Sequence, residues 1–494
     1  MNRHSMDCVI SMLSSRLKTA LPGGTPTLPE CLFFVQPETR AMLRCLSTTS
    51  LICTNQQTMK NKHLAPNNEK LTLMEVIAMG IGGMVGGGIF SVLGLAIAQA
   101  GHAAPFAFAL GGCIALLTGL SYARLGLVFQ SSGGSFTFLE HAFSSPNIAA
   151  MGGWLLLVGY VSTMALYAYT FGVYGSAMLG DDGSNIAMHH LLESLILLTF
   201  LGVNLYGIKA SGTSELLIVT VKMIILFLFA LIGLFYIKTD HLLPLFNQGY
   251  SGVIMGAALI FVAYEGFELI PNAINEMENP QRNLKPAIVW SIVITISIYV
   301  LVSIVAVGNL LPKEIIQYKE YALAIAAKPF LGQAGFLLIG LAALFSTASA
   351  INATLFGTAR LGMVMATDKA LPSAFGFRRK QNNIPWLSLI IITTVTIVFV
   401  NLANLTIISS FASSTFLLIF ALINLSACRL RQKIGGRIWL PMSGLLLSLM
   451  SWVVLVVYLW QTNPHGLYWI GLIYLTVITA ELVFSKRGLF RRHR

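Results

Sequence analysis

Residues 80–90 read Gly80-Ile81-Gly82-Gly83-Met84-Val85-Gly86-Gly87-Gly88-Ile89-Phe90, three consecutive glycines inside an apolar stretch. Glycine loses more backbone freedom in a helix than any other residue, so the run Gly86-Gly87-Gly88 predicts an unwound turn. Gly80 and Gly83 also fit close helix packing through small residues. In hydrocarbon an unpaired amide or carbonyl is costly, and such a turn persists only where protein, water or ligand supplies partners. Whether residues 80–90 lie in hydrocarbon decides how they are read.

The chain around them answers that question. Of its 494 residues 56% are apolar and 10% charged, against roughly a quarter charged in an ordinary soluble domain. Apolar runs of about twenty residues recur end to end from Leu73, which excludes a cytosolic enzyme and indicates an all-α integral membrane protein. We expect twelve transmembrane helices, near 73–97, 104–128, 147–178, 187–206, 214–237, 252–275, 284–311, 333–366, 384–402, 404–428, 438–461 and 466–485.

The formal charge of +12 would suggest nucleic acid in a soluble protein, but here it follows topology. Lys60, Lys62 and Lys70 precede the first segment. On the same side fall Lys209, Arg282, Lys285, Arg378-Arg379-Lys380, Arg429, Arg431, Lys433, Arg437 and the tail from Lys486 to Arg494. The other side carries Lys238, Lys313, Lys319 and Lys328, with Asp181 and Asp182. Both termini are expected to be cytoplasmic, in a plasma (inner) membrane, with no nucleic-acid partner.

Residues 1–58, rich in Ser, Thr, Pro and Cys, hold no spanning run and no signal-peptide pattern. They read as a disordered tail or as an extension ahead of a start at Met59, an organelle transit segment being the sharper alternative. Residues 59–72 form a short cytoplasmic lead-in. Cys8, Cys31, Cys45 and Cys53 fall in the extension, and Cys113 and Cys428 lie in apolar segments, so no spacing matches a zinc site or a disulfide pair. His189-His190, the one adjacent pair, reads as a solvated loop at a helix start. No metal or cofactor is expected. The external connection Pro312–Phe330, with Ile315, Ile316, Leu323 and Ile325 near helical spacing, reads either as a lid on the outer face or as an interfacial helix.

A second interruption lies in the sixth segment, Phe261-Val262-Ala263-Tyr264-Glu265-Gly266-Phe267-Glu268 before Pro271. Carboxylates inside an apolar helix cost roughly 2.5–3.5 kcal/mol each on insertion scales, so a solvated or paired setting is implied. Breaks in segments one and six suit an inverted repeat of five plus five helices, 73–237 and 252–428, followed by helices at 438–485 and a basic tail, 486–494. Two half-helix N-termini would face an anion such as a carboxylate, and freed carbonyls and acids a cation such as an amine, together suiting a zwitterion. Lys222 sits eight residues into the fifth segment, roughly 12 Å from its cytoplasmic end. It either snorkels to the interface or faces the bundle as a proton acceptor and donor, with carbonyls near Gly82 and the hydroxyls of Ser346, Thr347 and Ser349 as partners.

From Leu71 on, the chain resembles the amino acid-polyamine-organocation superfamily of permeases. Val85-Gly86-Gly87-Gly88-Ile89-Phe90 is similar to that family's Ile-Gly-Ser-Gly-Ile-Phe break, with Gly87 in place of the serine. Phe261 to Glu268 followed by Asn275-Glu276-Met277-Glu278-Asn279-Pro280 resembles its sixth helix. Phe345-Ser346-Thr347-Ala348-Ser349-Ala350-Ile351-Asn352-Ala353, with Arg360 and Leu371-Pro372 downstream, resembles its eighth. The resemblance implies a leucine-transporter-like fold and alternating-access movement of an amino acid or amine. It places Val85, Gly86, Gly87 and Gly88 at the substrate carboxylate and Phe261, Ala263, Tyr264 and Glu265 on the amine side. It gives Lys222 the place of a sodium ion, which favours proton coupling or sodium-independent exchange. Glu265 adds an acid that would hold a cationic substrate or take part in coupling. The function expected is secondary active transport of amino acids by alternating access, proton-coupled and sodium-independent, with an amino acid/amine exchanger or a polyamine permease as the near alternative. A non-transporting sensor of the same fold is the distant one. A channel would show a repeated polar filter and an enzyme a cluster of acids, histidines or a nucleophile, and the sequence offers neither.

Overall fold

The computed structural model describes residues 70–131, 133–181, 185–207, 212–310, 317–379 and 384–484, together with residue 314. The extension before Lys70 and the tail from residue 485 lie outside the described residues, as do Lys209, Lys313, Ile315, Ile316 and Lys380. Helix α1, Leu73–Met84, starts where Thr72 and Glu75 cap one another: the Thr72 N–H donates to Glu75 Oε2 at 2.9 Å and the Glu75 N–H to Thr72 Oγ1 at 3.4 Å. The chain then unwinds over residues 85–87 and resumes as α2, Gly88–Ala100. The opened turn lies one residue before the expected glycine triplet ends, with Gly88 already helical.

Helices α3 (Ala104–Phe129), α4 (Gly134–Ala142), α5 (Pro146–Met178), α6 (Ile186–Tyr206) and α7 (Gly212–Leu234) follow. The sixth segment is α8, Gly249–Leu259, continued by two 3-10 helices, Phe261–Tyr264 and Phe267–Glu276, the whole bent by 53°. Then come α9 (Pro280–Asn309), α10 (Ala322–Thr367), α11 (Trp386–Leu402), α12 (Leu405–Arg429), the single turn α13 (Arg431–Ile434), α14 (Trp439–Thr462) and α15 (Pro464–Phe484). Among the described residues nine helices are long and apolar enough to cross a membrane, α2 and α3 counting as one, and the bent pair makes ten. α1 and α11 are apolar but shorter. By length and composition the described helices thus supply nine or ten spans; the break divides the expected first segment into α1 and α2, and the expected ninth is the short α11.

The eighth segment also differs, because its helix begins at Ala322 and kinks at Gly332, whose φ of 60° only glycine adopts readily. Ala322 to Ala327 are all buried, Leu323 and Ile325 included. An interfacial helix would expose one face, so that reading is corrected: this stretch is inserted into the protein, as a closed lid also would be. The histidine pair lies on the first turn of α6 rather than in a loop. His189 stands 3.5 Å from Asp181 and His190 3.1 Å from Glu193.

Small residues set how closely the helices approach. Gly112, Gly119 and Gly126, seven apart on α3, face Ile296, Ile292 and Leu284 of α9 in antiparallel order, where an added Cβ would meet those side chains at 2.3, 2.6 and 2.9 Å. Without a hydrophobic force between helices in lipid, such close packing carries much of the association. α10 packs likewise on α5, and α12 between α5 and α14. The start of the first segment is pinned to the end of the sixth: the Leu71 N–H donates to Glu276 O at 2.7 Å and the Glu278 N–H to Leu71 O at 2.9 Å.

The two interrupted segments touch backbone to backbone. Gly266 has φ +126°, and a Cβ there would stand 2.5 Å from the Gly83 carbonyl carbon. Gly266→Ala is therefore expected to lower the thermal midpoint of the detergent-solubilised protein sharply or to prevent folding. Gly471→Ala, where nothing lies within 4 Å, should leave it unchanged or raised. Fluorescence-detected melting of the two variants side by side checks this.

Candidate functional site

The opened turn in the first segment frees carbonyls inside the bundle, and each one described finds a donor from another helix. Lys222 of α7, 2% exposed, donates through Nζ to Gly82 O, Val85 O and Ser346 Oγ of α10, each at 3.2 Å. Ser346 Oγ in turn donates to Val85 O. An ammonium group has three N–H donors and no acceptor, so three oxygens satisfy it. Lys222 faces the bundle and does not snorkel. Of its expected hydroxyl partners Ser346 alone meets it. Thr347 donates back to Ala343 O of its own helix at 2.8 Å, and Ser349 stands on α10 without a described bond to Lys222.

Two tyrosines hold the rest. Tyr299 of α9 shares its proton between Met84 O at 2.6 Å and Ala263 O at 3.0 Å, tying the two breaks together. Tyr167 of α5 donates to Gly83 O at 3.0 Å, and its ring covers Gly86 and Gly87. A Cβ on Gly87 would lie 2.6 Å from Tyr167 Cδ1, and one on Gly88 2.9 Å from Ala263 Cα. In the sixth segment Ser413 of α12 donates to Leu259 O at 2.8 Å and accepts the Val262 N–H at 3.0 Å.

The two half-helix N-termini are not equivalent. α2 begins at the bare N-cap Gly87, which has no side chain to satisfy its first amides, and so offers N–H groups and a positive dipole end to an anion. At the sixth segment the Gly266 N–H already donates to Glu268 Oε2 at 2.8 Å. The expectation that both ends face an external anion is corrected: one is met by the chain's own carboxylate. Glu265 accepts a hydrogen bond from Thr163 of α5 and is 3% exposed. Glu268 is fully buried, its Oε1 without a hydrogen-bond partner among the described residues. Neither acid is in an ion pair with a described basic side chain.

Val85, Gly86, Gly87, Gly88, Ala263 and Glu265 therefore gather with Lys222 and Ser346 around the two breaks. Phe261 and Tyr264 turn away: Phe261 packs on Phe420 with ring centroids 5.6 Å apart, and Tyr264 donates to Phe108 O of α3 at 2.7 Å. Thr163, Tyr167, Tyr299 and Ser413 join the site without standing out in the sequence, and Glu268, expected with Glu265 to face a cation, binds the Gly266 amide instead. A lone tyrosine or serine in an apolar run carries no periodic signal, whereas Glu268 lay inside the quoted sixth-segment motif and could have been read as its cap. Among the described residues no group of three or more His, Cys, Asp or Glu could hold a metal ion.

Comparison with known proteins places this geometry. The family model described as "Amino acid permease" matches residues 71–482. An uncharacterized protein of Methanocaldococcus jannaschii is 37% identical over 85% of this chain and 96% of its own length. The inner membrane transport protein YbaT of Escherichia coli is 30% identical over 84% of this chain and 96% of its own. The methylthioribose transporter of Bacillus subtilis is 28% identical over 76% of this chain and 83% of its own. Membership of this family implies the leucine-transporter-like fold. With broken helices, buried acids and a match along nearly its whole described length, the chain is a multi-pass membrane transporter and belongs to the amino acid permease family of the amino acid-polyamine-organocation superfamily.

Proposed function

We propose that the protein is a secondary active transporter that moves amino acids by alternating access, coupled to protons and independent of sodium. The observation that carries this reading is the Lys222 ammonium among Gly82 O, Val85 O and Ser346 Oγ. Two backbone carbonyls and a hydroxyl are the oxygen ligands a hard cation would choose, and a resident ammonium fills their centre. Such a site needs no sodium ion, and its occupancy by charge depends on a proton. Counting α1 with α2 as the first span, and α8 with its 3-10 continuation as the sixth, gives twelve spans, so both termini share one side, which the lysine and arginine placement makes the cytoplasmic one. α9 packs on α3 and α10 on α5, so the second and third members of one five-helix set meet their counterparts in the other, as an inverted repeat would have them.

In this reading the substrate carboxylate rests on the amides at the start of α2, and the amine faces the carbonyls and Glu265 between the breaks. Protonated Lys222 ties the α1 end to α10. Deprotonation removes one donor, leaves two for three acceptors, and loosens α1 on the cytoplasmic side. Acid outside and a more alkaline cytoplasm would thus drive the cycle inward. One relative is named for methylthioribose, so substrates differ between relatives, and in this reading the α2 terminus is what would select a carboxylate.

Proteoliposomes given a panel of radiolabelled amino acids under imposed gradients test the reading. Accumulation is expected with an inward proton gradient alone and none with sodium alone. Silence under both gradients and in counterflow would turn the assignment to a polyamine or other amine, or to a sensor. Lys222→Ala should abolish the pH dependence of uptake, and unchanged proton-driven transport would remove Lys222 from coupling. Gly87→Val should drive its side chain into Tyr167 and block substrate binding; normal uptake by that variant would show that the backbone there is not the site.

A further inference from the structure

We propose that Glu215 is the group through which Lys222 delivers its proton to the cytoplasm, with Gly82 forming the slot that holds the two side chains in line. The proposal rests on the proton-coupled reading above and names the exit it requires.

Glu215, Val219 and Lys222 stand at i, i+4 and i+7, one face of α7. That face lies on α1 at Gly82, which is touched from both ends. Lys222 Nζ donates to Gly82 O at 3.2 Å, while Glu215 Oε1 and Val219 Cγ2 stand 3.0 and 3.1 Å from where a Cβ on Gly82 would be. The carboxylate fits there because residue 82 has no side chain. Lys222 is closed off from water, whereas Glu215 is only partly buried and lies two helical turns, roughly 10 Å, nearer the cytoplasmic end of the helix. Each is the charged side chain whose field acts on the other. Glu215 stands in the first turn of α7, where the helix dipole favours a carboxylate, and opens the spanning stretch Glu215–Leu234, so it lies between Lys222 and the cytoplasmic water.

The helices packed against this face bring few other titratable groups near it. On α1, Glu75 is bound in the cap with Thr72. On α9, Tyr299 holds Met84 O and Ala263 O, and Arg282 and Lys285 stand in its first two turns at the cytoplasmic end. On α10, Lys328 lies over the Phe336 ring and Arg360 is 3.7 Å from Glu276.

The step balances without any further reactant. In this structure Lys222 bonds to Gly82 O, Val85 O and Ser346 Oγ, so its side chain must first swing along the Gly82 face toward Glu215; the ammonium then gives one proton to the Glu215 carboxylate, leaving a neutral amine and a carboxylic acid, and the acid returns the proton to cytoplasmic water. The amine then has two donors for three oxygens, so release of the proton and release of α1 are one event.

The test uses the full chain in proteoliposomes loaded with the pH dye pyranine, with a mixture of radiolabelled L-amino acids as probe. Glu215→Gln, which keeps shape and loses the proton site, should cut proton-driven uptake and lumen acidification at least about tenfold, a conservative figure for a positioned proton-transfer group. Exchange of the same probe at equal pH on both sides should stay near the wild-type rate, and Glu215→Asp should recover most of the driven rate. A Gln variant that responds to the gradient as the wild type does overturns the relay. So does equal loss of exchange and driven uptake, or failure of Asp to rescue, since either marks a structural role. A wild type that takes up the probe but ignores the gradient overturns the coupling reading and the relay together. A responsive wild type with a Gln variant that responds equally overturns the relay alone.

Discussion

An opened helix turn inside a membrane has to find hydrogen-bond partners within the protein, and in this molecule the Lys222 ammonium is the partner on which the arrangement depends. Its three donors meet two carbonyls of the first segment and one hydroxyl of α10. Burying a charge in an apolar bundle is expensive unless it is fully hydrogen-bonded, and leaving those carbonyls bare would be expensive too. The two costs cancel only in one geometry, with α1, α7 and α10 brought together. That constraint explains why a lysine is tolerated at 2% exposure in the middle of a run of valines, isoleucines and leucines.

The second break is held by a different economy of groups. Tyr299 bridges the carbonyls of both segments, Ser413 serves both an amide and a carbonyl, and Glu268 turns back on the Gly266 amide. Of the two half-helix starts at the breaks, that of α2, capped by a glycine, has no such internal partner among the described residues. The asymmetry matters for the proposed transport cycle, because it assigns the anionic end of a substrate to the first segment. It also leaves Glu265 and Glu268 as buried acids with hydroxyl and amide donors but no described cation beside them.

Glycine carries the close approaches. Gly83 and Gly266 let two backbones touch, Gly82 makes room for Glu215, and the series Gly112, Gly119, Gly126 lets α9 settle onto α3. In water such positions would weaken helices by roughly 1 kcal/mol each relative to alanine. In a membrane bundle they permit contact that larger residues would forbid.

Much was legible before any coordinates. Hydropathy and length gave a polytopic helical protein, since no soluble chain sustains such runs. The glycine triplet and the acids near Gly266 marked the two breaks, because few sequences can satisfy a spanning helix there. Lys222 was marked for the same reason. What the linear pattern could not carry were relations between segments. That Lys222 reaches Ser346 but not Thr347, that Phe261 and Tyr264 turn outward to α12 and α3, and that Tyr299 joins the breaks all depend on how helices distant in sequence are rotated against one another. The burial of Ala322–Ala327 lay beyond the sequence for a related reason: its spacing also fits a surface helix, and only the kink at Gly332 and its surroundings bury it. Sequence alone determined the solvent this chain lives in and where its helices must break, because those follow from the cost of exposing local groups to lipid. Tertiary structure decided which side chains meet at the breaks, because helix rotation and packing are set by contacts between segments that sequence order does not encode.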